Sequence, residues 1–352
     1  MPSKAVGWGV ENASDTPHQL NFERRDLRDN DVAIKISHCG ICHSDLHFAH
    51  DDWGMSHYPM IPGHEIVGTV TDVGPDVTRY SVGDRVAIGC LVDSCQKCEF
   101  CKGNQEQFCV EGSTFTYGVP DRYGELTQGG YSDHIVCREE FVCKVPDGMD
   151  MAHAAPLLCA GITTYSPLRR WGVKEGDRVA VAGLGGLGHM AVKLAVAMGA
   201  EVTVLTTSPE KAEAATAVGA SDVLISTDEA AMEAAMGRFH FIIDTIPVAH
   251  EIDPYAALLR PNGSMVIVGA LEPLPGFSGF NLIFGNRAIA GSAIGGLAET
   301  QEMLDFCAEH NILPEIEIIT GEQIPEAWDT LAKGDMPHRY VIDVAGSEAV
   351  AQ

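Results

Sequence analysis

The hydrophobic positions of this chain follow two patterns, and the change between them comes near Pro156. Between Val32 and Val145, short apolar runs such as Val32–Ile36 and Val67–Val70 are separated by Gly, Pro and Asp residues. Short runs that are rich in β-branched residues and bounded by turn residues are typical of strands. This half of the chain is therefore predicted to be mostly β.

Beyond Pro156, apolar strands alternate with helical stretches. The first strand, Arg178–Ala182, is followed by a glycine-rich turn and a predicted helix from His189 to Met198. The other predicted elements are strands at Glu201–Leu205, Asp222–Ile225, Phe239–Ile243 and Ser264–Val268, and a helix at Pro209–Val218. Strands that alternate with helices build a parallel sheet. The second half is therefore predicted to be α/β.

The length and the tail of the chain indicate how the domains are arranged. A chain of 352 residues suits two domains, each able to bury its own core. The tail is predicted to hold a helix, Glu299–His310, and a late strand, Arg339–Val344, that could rejoin the first half. We therefore expect one domain over residues 1–158, a second over residues 159–292, and a return to the first domain over residues 293–352.

The charge balance and the cysteine count limit the partners and the compartment. Lys and Arg number 23 against 49 Asp and Glu, a formal net charge of −26, which repels nucleic acid and anionic membranes. There is no apolar stretch of about 18 residues, and Met1–His18 has no signal-peptide pattern, so we expect a cytoplasmic protein. In a reducing cytoplasm, clusters among its 11 cysteines more often bind metal than form disulfides.

The glycine-rich turn has the spacing G-x-G-x-x-G and lies between a predicted strand and a predicted helix. Glycine lets the backbone approach a pyrophosphate, which then meets the free N–H groups and the positive dipole end of the helix. Such turns also occur purely for packing, but the strand and helix on either side favour dinucleotide binding. The predicted cofactor-binding residues of the turn are Gly183, Gly185, Gly186, Leu187 and Gly188.

The end of the next strand indicates which dinucleotide is bound. Thr207 lies about 20 residues beyond the glycines, where an NAD-specific fold places an acidic residue on the ribose 2′-hydroxyl. Here Thr207 and Ser208 carry hydroxyls and Lys211 a positive charge, which together would hold a 2′-phosphate. NADP(H) is therefore favoured. The alternative is that Glu210 binds the ribose and that Lys211 is a solvated helix residue.

Four cysteines fall within one short segment. They are Cys95, Cys98, Cys101 and Cys109. Four thiolates can enclose Zn²⁺ in a tetrahedron, and such a site has no open position and only stabilises the fold. An iron–sulfur cluster is disfavoured because the bacterial cluster run ends in C-x3-C-P, whereas here the last gap is longer and Val110 follows. The segment is therefore predicted to bind a structural zinc.

A second set of motifs resembles the zinc-dependent medium-chain alcohol dehydrogenases. Their pattern G-H-E-x2-G-x5-G-x2-V is met by Gly63, His64, Glu65, Gly68, Gly74 and Val77. Residues 39–47, 58–65 and 156–165 are similar to the cinnamyl alcohol dehydrogenase branch, whose bacterial members are NADPH-dependent aldehyde reductases. The resemblance spans nearly the whole chain. It implies a mostly-β, GroES-like catalytic domain and an α/β Rossmann cofactor domain with a doubly wound parallel sheet.

The resemblance also implies a second metal site. Cys42, His64 and Cys159 would bind a catalytic zinc, which keeps a fourth position open for substrate. Asp45 would orient His64, and Glu65 would be an occasional ligand during exchange. Together with the four-cysteine segment, this gives two Zn²⁺ ions per chain.

A proton relay and a substrate pocket are implied in the same way. Ser44, the nicotinamide ribose and His47 would carry a proton to the alcohol oxygen. Trp53, Phe115 and Tyr117 resemble pocket positions that would suit aromatic or medium-chain aliphatic aldehydes, although aromatic loop residues are as often packing anchors. The partners implied are a small alcohol or aldehyde and, from the family, a second copy of the chain in a homodimer.

The sequence thus predicts an oxidoreductase that transfers hydride between NADP(H) and a primary alcohol or aldehyde. One alternative is an NAD-dependent polyol or secondary-alcohol dehydrogenase, which would have an acid in place of Thr207. Another is a non-catalytic, zinc-braced dinucleotide-binding protein, which would have lost a ligand or part of the relay. A redox pair of Cys39 and Cys42 is disfavoured because no thioredoxin-like setting surrounds it.

Overall fold

A computed structural model of the chain describes residues 3–269, 272–334 and 338–348. It has two compact units. The first contains the chain up to Cys159 together with the segment from Gly295 onward, and the second is Ala160–Ile294. Within the described ranges, no helix combines the length and the apolar character needed to cross a membrane.

The first unit is mostly β, as the sequence predicted. Its strands are β1 (Ser3–Gly9), β2 (His18–Arg24), β3 (Asp31–Gly40), β4 (Ile66–Val73), β5 (Arg85–Ile88), β6 (Leu91–Asp93), β7 (Thr114–Phe115), β8 (His134–Arg138), β9 (Cys143–Lys144), β16 (Ile316–Ile319) and β17 (Arg339–Asp343). Its helices are α1 (His43–Ala49), α2 (Glu99–Lys102), α3 (Met151–Ala154), α10 (Leu297–Glu309) and α11 (Ile324–Ala332). Labels follow the order of the chain.

The main sheet of the first unit joins segments from both ends of the sequence. Its order is β16-β17-β3-β4-β5-β9, and β8 also pairs with β3. Strand β17 is antiparallel to β3, with Val341 opposite Gly40. The late strand, Arg339–Asp343, thus lies in the sheet of the first unit, where its Val341 and Ile342 are buried.

The second unit is a parallel sheet with helices between its strands. The strands are β10 (Arg178–Ala182), β11 (Glu201–Thr206), β12 (Asp222–Ile225), β13 (Phe239–Asp244), β14 (Leu259–Ile267) and β15 (Ala288–Gly291). The helices are α4 (Ala160–Arg170), α5 (Gly186–Ala197), α6 (Ala212–Ala217), α7 (Glu229–Ala234), α8 (Asp253–Leu258) and α9 (Gly279–Ile283). The order β12-β11-β10-β13-β14-β15 is that of a doubly wound dinucleotide-binding sheet, so the predicted fold class is confirmed.

The order of this sheet also locates its binding edge. Chain order reverses between the central strands β10 and β13, and ligands of open α/β sheets bind beyond the carboxyl ends of the strands at such a reversal. The residues Val179–Ala182 of β10 are fully buried, which fixes the start of the glycine turn. The core beneath the sheet includes Phe239, Ile242 and Met265.

Some predicted boundaries differ from the structure. Helix α5 begins at Gly186, three residues before the predicted His189, because glycines carry no apolar signal although their backbone is helical here. The predicted helix Pro209–Val218 is a 3-10 turn, Pro209–Lys211, followed by α6. Strand β14 begins earlier than predicted, and the short strands β15 and β16 were not predicted at all.

Candidate active site

Three segments of the first unit bring four ligand atoms together. Cys42 precedes α1, His64 and Glu65 precede β4, and Cys159 follows a 3-10 turn, Ala155–Leu158. Their potential ligand atoms all lie within 4.8 Å of one another, and all four residues are buried. Residues as far apart in the sequence as Cys42 and Cys159 thus form one cluster.

The geometry of the two cysteines in this cluster fits zinc. Cys42 Sγ and Cys159 Sγ lie 3.8 Å apart. For zinc–sulfur bonds of about 2.3 Å in a tetrahedron, two sulfur ligands are separated by about 3.8 Å. The contact between the two sulfurs lowers the pKa of the Cys42 thiol well below its ordinary value and raises that of Cys159. A thiolate, the form that binds metal, is therefore favoured at Cys42.

Asp45 orients the imidazole of this cluster. Its carboxylate is fully buried and accepts hydrogen bonds from the backbone N–H groups of Cys42, at 2.8 Å, and Gly63, at 3.1 Å. It also accepts one from Tyr131 Oη, at 2.8 Å, and lies 3.1 Å from His64 Nδ1. Because the carboxylate can only accept, Nδ1 carries the proton and Nε2 is left with its lone pair for a metal.

Glu65, the fourth member of the cluster, is held by an arginine from β17. Its Oε1 forms a buried ion pair with Arg339, while its Oε2 is buried and has no hydrogen-bond partner among the described residues. Burial by itself would lower the pKa of the Arg339 guanidinium, but the neighbouring Glu65 and Cys42 raise that pKa above its ordinary value. Gly40 leaves room for this carboxylate, since a Cβ at that position would lie 1.9 Å from Oε2. Because Oε2 has no partner among the described residues, it remains available to a ligand bound at the cluster.

Ser44 and His47 lie three residues apart on α1, which puts them on one side of the helix. Ser44 Oγ is 3.7 Å from Cys42 Sγ. His47 Nδ1 is 2.7 Å from Asp52 Oδ2, and the His47 ring stacks on Trp53 with 5.4 Å between centroids. Because Asp52 accepts a hydrogen bond from Nδ1–H, the other ring nitrogen, Nε2, is not used in this contact. Asp52 was not identified from the sequence, where it is one acidic loop residue among many.

The three predicted pocket residues surround a fourth aromatic side chain, Phe48. Its ring makes edge contacts with Trp53 at 5.1 Å, Phe115 at 5.9 Å and Tyr117 at 5.2 Å. Trp53 is exposed and Phe115 half-buried, whereas Tyr117 is buried and its ring stacks on His64 at 5.8 Å. Tyr117 therefore supports a member of the ligand cluster, and Phe48 was missed because its apolar signal on α1 matches an ordinary core position.

The four-cysteine segment forms a separate cluster. The sulfurs of Cys95, Cys98, Cys101 and Cys109 lie within 4.8 Å of one another, with 3.9 Å between Cys95 and Cys101 and 3.5 Å between Cys98 and Cys101. These distances also suit a tetrahedron of zinc-bound sulfurs. The backbone N–H of Cys101 donates to Cys98 Sγ and lowers the pKa of that thiol to about 6. The two clusters share no residue.

In the second unit, the predicted glycines have distinct roles. Gly183 directly follows β10 and has φ +88°, a conformation that glycine adopts without strain. Gly188 faces the Gly183 carbonyl, and a Cβ there would lie 2.3 Å from its oxygen. Gly185 is exposed and precedes α5, and a Cβ on it would have no neighbour within 4 Å. Gly186 and Leu187 open the helix, so the space beside Gly185 lies at the helix N-terminus, where the first backbone N–H groups have no intrahelical partner.

The residues predicted to select the dinucleotide lie at the end of β11. Thr206 is buried, and its Oγ1 accepts a hydrogen bond from the Ser208 N–H at 3.2 Å. Thr207 and Glu210 are exposed, and Lys211 is half-buried at the end of the 3-10 turn. The exposed carboxylate of Glu210 thus lies in this turn, one residue before the positively charged Lys211.

Comparison with known proteins gives a consistent result over the whole chain. Residues 28–147 match the family model described as "Alcohol dehydrogenase GroES-like domain", and residues 186–309 match "Zinc-binding dehydrogenase". A probable formaldehyde dehydrogenase of Bacillus subtilis is 50% identical over 336 residues, or 96% of each chain.

Solved structures are similar as well. A cinnamyl alcohol dehydrogenase from Sorghum bicolor has a TM-score of 0.95 at 44% identity, covering 99% of this chain and 100% of its own. The enzyme CAD from Helicobacter pylori, solved complexed with NADP(H), has a TM-score of 0.92 at 43% identity, with the same coverage of the two chains.

The glycine turn generates a test with a matched control. We expect Gly185→Ala to leave folding unchanged but to weaken dinucleotide binding, because its methyl group enters the open space over the helix N-terminus. Gly188→Ala should instead destabilise the protein by about 1–3 kcal/mol, since its Cβ meets a backbone carbonyl. Thermal unfolding and NADPH titration of both variants check this. Equal thermal stability of the two variants would contradict the assigned roles.

Proposed function

This chain belongs to the zinc-binding alcohol dehydrogenases, which interconvert alcohols and aldehydes, and we propose that it is an NADP(H)-dependent aldehyde reductase and alcohol dehydrogenase. We propose two zinc ions per chain, one catalytic and one structural. The observation that carries the proposal is the buried cluster of Cys42, His64, Glu65 and Cys159. Its two thiols and its imidazole suit zinc, and because Glu65 is paired with Arg339, the fourth position of the metal would be open to substrate.

The proposed catalytic site uses its protein residues for distinct tasks. Cys42 Sγ, Cys159 Sγ and His64 Nε2 would hold the metal, and the two thiolates balance its charge. A zinc ion in such a site acts as a Lewis acid towards a carbonyl oxygen. Asp45 keeps His64 in the tautomer that binds through Nε2. Glu65, with one buried oxygen uncommitted, is the proposed occasional ligand during exchange.

Reduction of an aldehyde also requires a proton for the product oxygen. Ser44 Oγ is the proposed donor because it lies next to Cys42 Sγ. His47 would resupply that proton by way of the nicotinamide ribose, and Asp52 holds Nδ1 so that Nε2 exchanges protons. Stacking on Trp53 limits rotation of the ring. Activity is therefore expected to need both the hydroxyl of Ser44 and the imidazole of His47.

NADP(H) is the proposed cofactor. The glycine turn would receive its pyrophosphate, and Thr207, Ser208 and Lys211 its 2′-phosphate. The Helicobacter pylori relative, solved with NADP(H), supports this choice. An NAD-dependent polyol or secondary-alcohol dehydrogenase would need Glu210 to bind the ribose, and this exposed carboxylate belongs to the turn that also carries Lys211.

The proposed substrates are aromatic and medium-chain apolar aldehydes and the corresponding alcohols. The support is the group of aromatic rings around Phe48, in which exposed Trp53 and half-buried Phe115 offer apolar surface. Tyr117 contributes less, because its buried ring packs against His64. The similarity to a cinnamyl alcohol dehydrogenase agrees with a flat, apolar substrate.

We also propose a cytoplasmic homodimer formed through the second unit. Phe280, Ile283 and Phe284 of the α9 region are 69%, 76% and 81% exposed, and the two phenylalanine rings stack at 5.6 Å. The neighbouring strand β15 is an edge strand of the sheet. Exposed apolar groups beside an unpaired edge are typical of an interface, and self-association would cover both.

The direct test is oxidation of NADPH and, in parallel, NADH by the purified protein with aromatic and aliphatic aldehydes. We expect turnover with NADPH, fastest with aromatic or medium-chain aldehydes, because the Phe48 group favours apolar rings. Turnover with NADH alone would favour the polyol or secondary-alcohol alternative. Dinucleotide binding without turnover of any aldehyde or alcohol would favour the non-catalytic alternative.

The two proposed zinc sites can be separated by mutation. Cys159→Ala should lower the zinc content from about two to about one per chain and abolish turnover. Cys98→Ala should also lower it to about one, but through the four-cysteine cluster, and should reduce thermal stability because that site braces a loop. Elemental analysis and thermal unfolding measure both effects. Two zincs retained in Cys159→Ala, with activity intact, would refute the assignment of the catalytic site.

The proposed cofactor selectivity depends on Thr207. Thr207→Asp should weaken NADPH binding by about tenfold or more and leave NADH binding within about threefold, because the new carboxylate repels a 2′-phosphate. Thr207→Asn is the matched control, because asparagine has nearly the same shape as aspartate and carries no charge. Dissociation constants for both cofactors provide the measurement. An unchanged preference in Thr207→Asp would argue against this residue as a 2′-phosphate contact.

A further inference from the structure

An arginine that follows the four-cysteine segment contacts that cluster, and the function described so far does not use it. Arg122 Nη2 donates a hydrogen bond to Cys109 Sγ at 3.6 Å and another to the Gly112 carbonyl oxygen at 2.9 Å. Its Nη1 donates to Glu111 Oε2 at 3.1 Å. The Arg122 side chain is only 25% exposed, so these contacts are partly shielded from solvent. One guanidinium thus binds a thiol, a backbone carbonyl and a carboxylate of the same segment.

This arginine lies at the tip of a hairpin formed by residues 118–127, which we call the 118–127 hairpin. At the base of the hairpin, the Gly118 N–H donates to the Thr127 carbonyl oxygen at 3.0 Å. Beside the tip, the Asp121 N–H donates to the Glu125 carbonyl oxygen at 2.7 Å. Backbone hydrogen bonds therefore join the two arms from base to tip, and the hairpin can carry a constraint from one end to the other.

The base of the 118–127 hairpin packs against the proposed substrate pocket. A Cβ on Gly118 would lie 3.5 Å from Phe48 Cδ1 and 2.8 Å from Met60 Sδ, so the Gly118 backbone lies directly against both side chains. The Gly118 carbonyl oxygen also accepts a hydrogen bond from the His57 N–H at 3.0 Å. Phe48 is the ring around which the proposed pocket residues gather. The hairpin therefore connects the four-cysteine cluster with the proposed pocket.

The charge of an occupied four-cysteine cluster gives Arg122 a specific task. Four thiolates outweigh the charge of one Zn²⁺ ion, so an occupied cluster of this type is negative. A cation that donates a hydrogen bond to one of the sulfurs offsets this charge, and hydrogen bonds to charged acceptors are stronger than neutral ones. The nearby Lys97 is 71% exposed and pairs with Glu111 at 2.9 Å. It therefore offers a comparison cation in the same segment.

We infer that Arg122 is a positioning residue that couples metal occupancy of the four-cysteine cluster to the 118–127 hairpin. With the cluster occupied, its guanidinium holds the tip of the hairpin against residues 109–112. Without the metal or without the guanidinium, the tip loses this anchor, and Gly118 is held less firmly against Phe48. The structural zinc thereby supports one wall of the substrate pocket. The inference rests on the proposed function for the metal and for the aldehyde.

A second anchor of the tip does not involve the cluster. Arg28 lies 3.6 Å from an Asp121 carboxylate oxygen and 3.5 Å from one of Glu125, and its guanidinium lies over the Tyr123 ring at 3.8 Å. Since this anchor remains when Arg122 is removed, we expect Arg122→Gln to loosen the hairpin without unfolding the protein. Arg28→Gln provides a variant that loosens the same tip through a different contact.

Hydrogen–deuterium exchange and zinc release of the cofactor-free protein test the coupling directly. Peptides that cover residues 118–127 should exchange about fivefold faster or more in Arg122→Gln than in the wild type, and within about twofold of it in the matched control Lys97→Gln. Because coupling is reciprocal, Arg122→Gln should also release one zinc ion faster to a chromogenic chelator. Equal exchange and equal zinc release in Arg122→Gln and Lys97→Gln would overturn the inference.

A double-mutant cycle tests whether the metal acts on the hairpin through Arg122. In the Cys98→Ala background, Arg122→Gln should change the exchange of the hairpin by less than about twofold, whereas Arg28→Gln should keep its full effect. If Arg122→Gln accelerates exchange equally with and without Cys98, this residue does not transmit metal occupancy. If Cys98→Ala does not fold, the comparison of Arg122→Gln with Lys97→Gln decides the question.

Steady-state kinetics separate this positioning role from a general loss of stability. Cinnamaldehyde is long enough to reach the aromatic group around Phe48, whereas acetaldehyde is not. For Arg122→Gln, we expect the KM of cinnamaldehyde to rise about threefold or more, with kcat and the KM of acetaldehyde within about twofold of the wild type. An equal change for both aldehydes would count against the role. If the wild type turns over no aldehyde, the proposed function is wrong, while exchange and zinc release still decide whether Arg122 couples the cluster to the hairpin.

Discussion

The buried carboxylate of Asp45 is the interaction on which the candidate active site depends. A charged group without solvent costs several kcal/mol unless hydrogen bonds replace its hydration. Asp45 is paired with donors from three places: the start of α1, the turn before β4, and Tyr131. Satisfying this one carboxylate therefore forces the chain to bring Cys42 and His64 together. The geometry of the proposed metal ligands therefore follows from the hydrogen bonds that this one buried carboxylate requires.

The binding edge of the second unit depends on backbone conformation rather than on a buried charge. It consists of a fully buried strand, a glycine with positive φ and the N-terminus of a helix that follows the exposed Gly185. Thr245, which directly follows β13, donates from its N–H and its Oγ1 to the Ala182 carbonyl and so fastens the neighbouring strand end to this turn. A dinucleotide pyrophosphate would thus meet dipoles that are already oriented, so little reorganisation is needed on binding.

The parts of the molecule that were predictable from sequence are those encoded within a short stretch. The glycine turn, the parallel strands around it and the four-cysteine segment each have their chemistry within about 20 residues, so spacing alone indicates them. Cys42, His64 and Cys159 needed a family resemblance, because spacing does not link distant segments. Asp52, Phe48 and Arg339 were missed. Each has an ordinary residue type for its position, and only the folded chain reveals its partner.

The return of the chain to its first unit has a consequence for synthesis on the ribosome. Strand β17 and Arg339 follow the whole of the second unit in sequence, yet they complete the sheet at β3 and neutralise Glu65. During translation the second unit can fold as soon as it emerges, whereas the first must wait with an open sheet edge and an uncompensated buried carboxylate. Completion of the sheet at β3 and of the ion pair between Glu65 and Arg339 would accordingly be a late event, and chaperones would meet the first unit in its incomplete form.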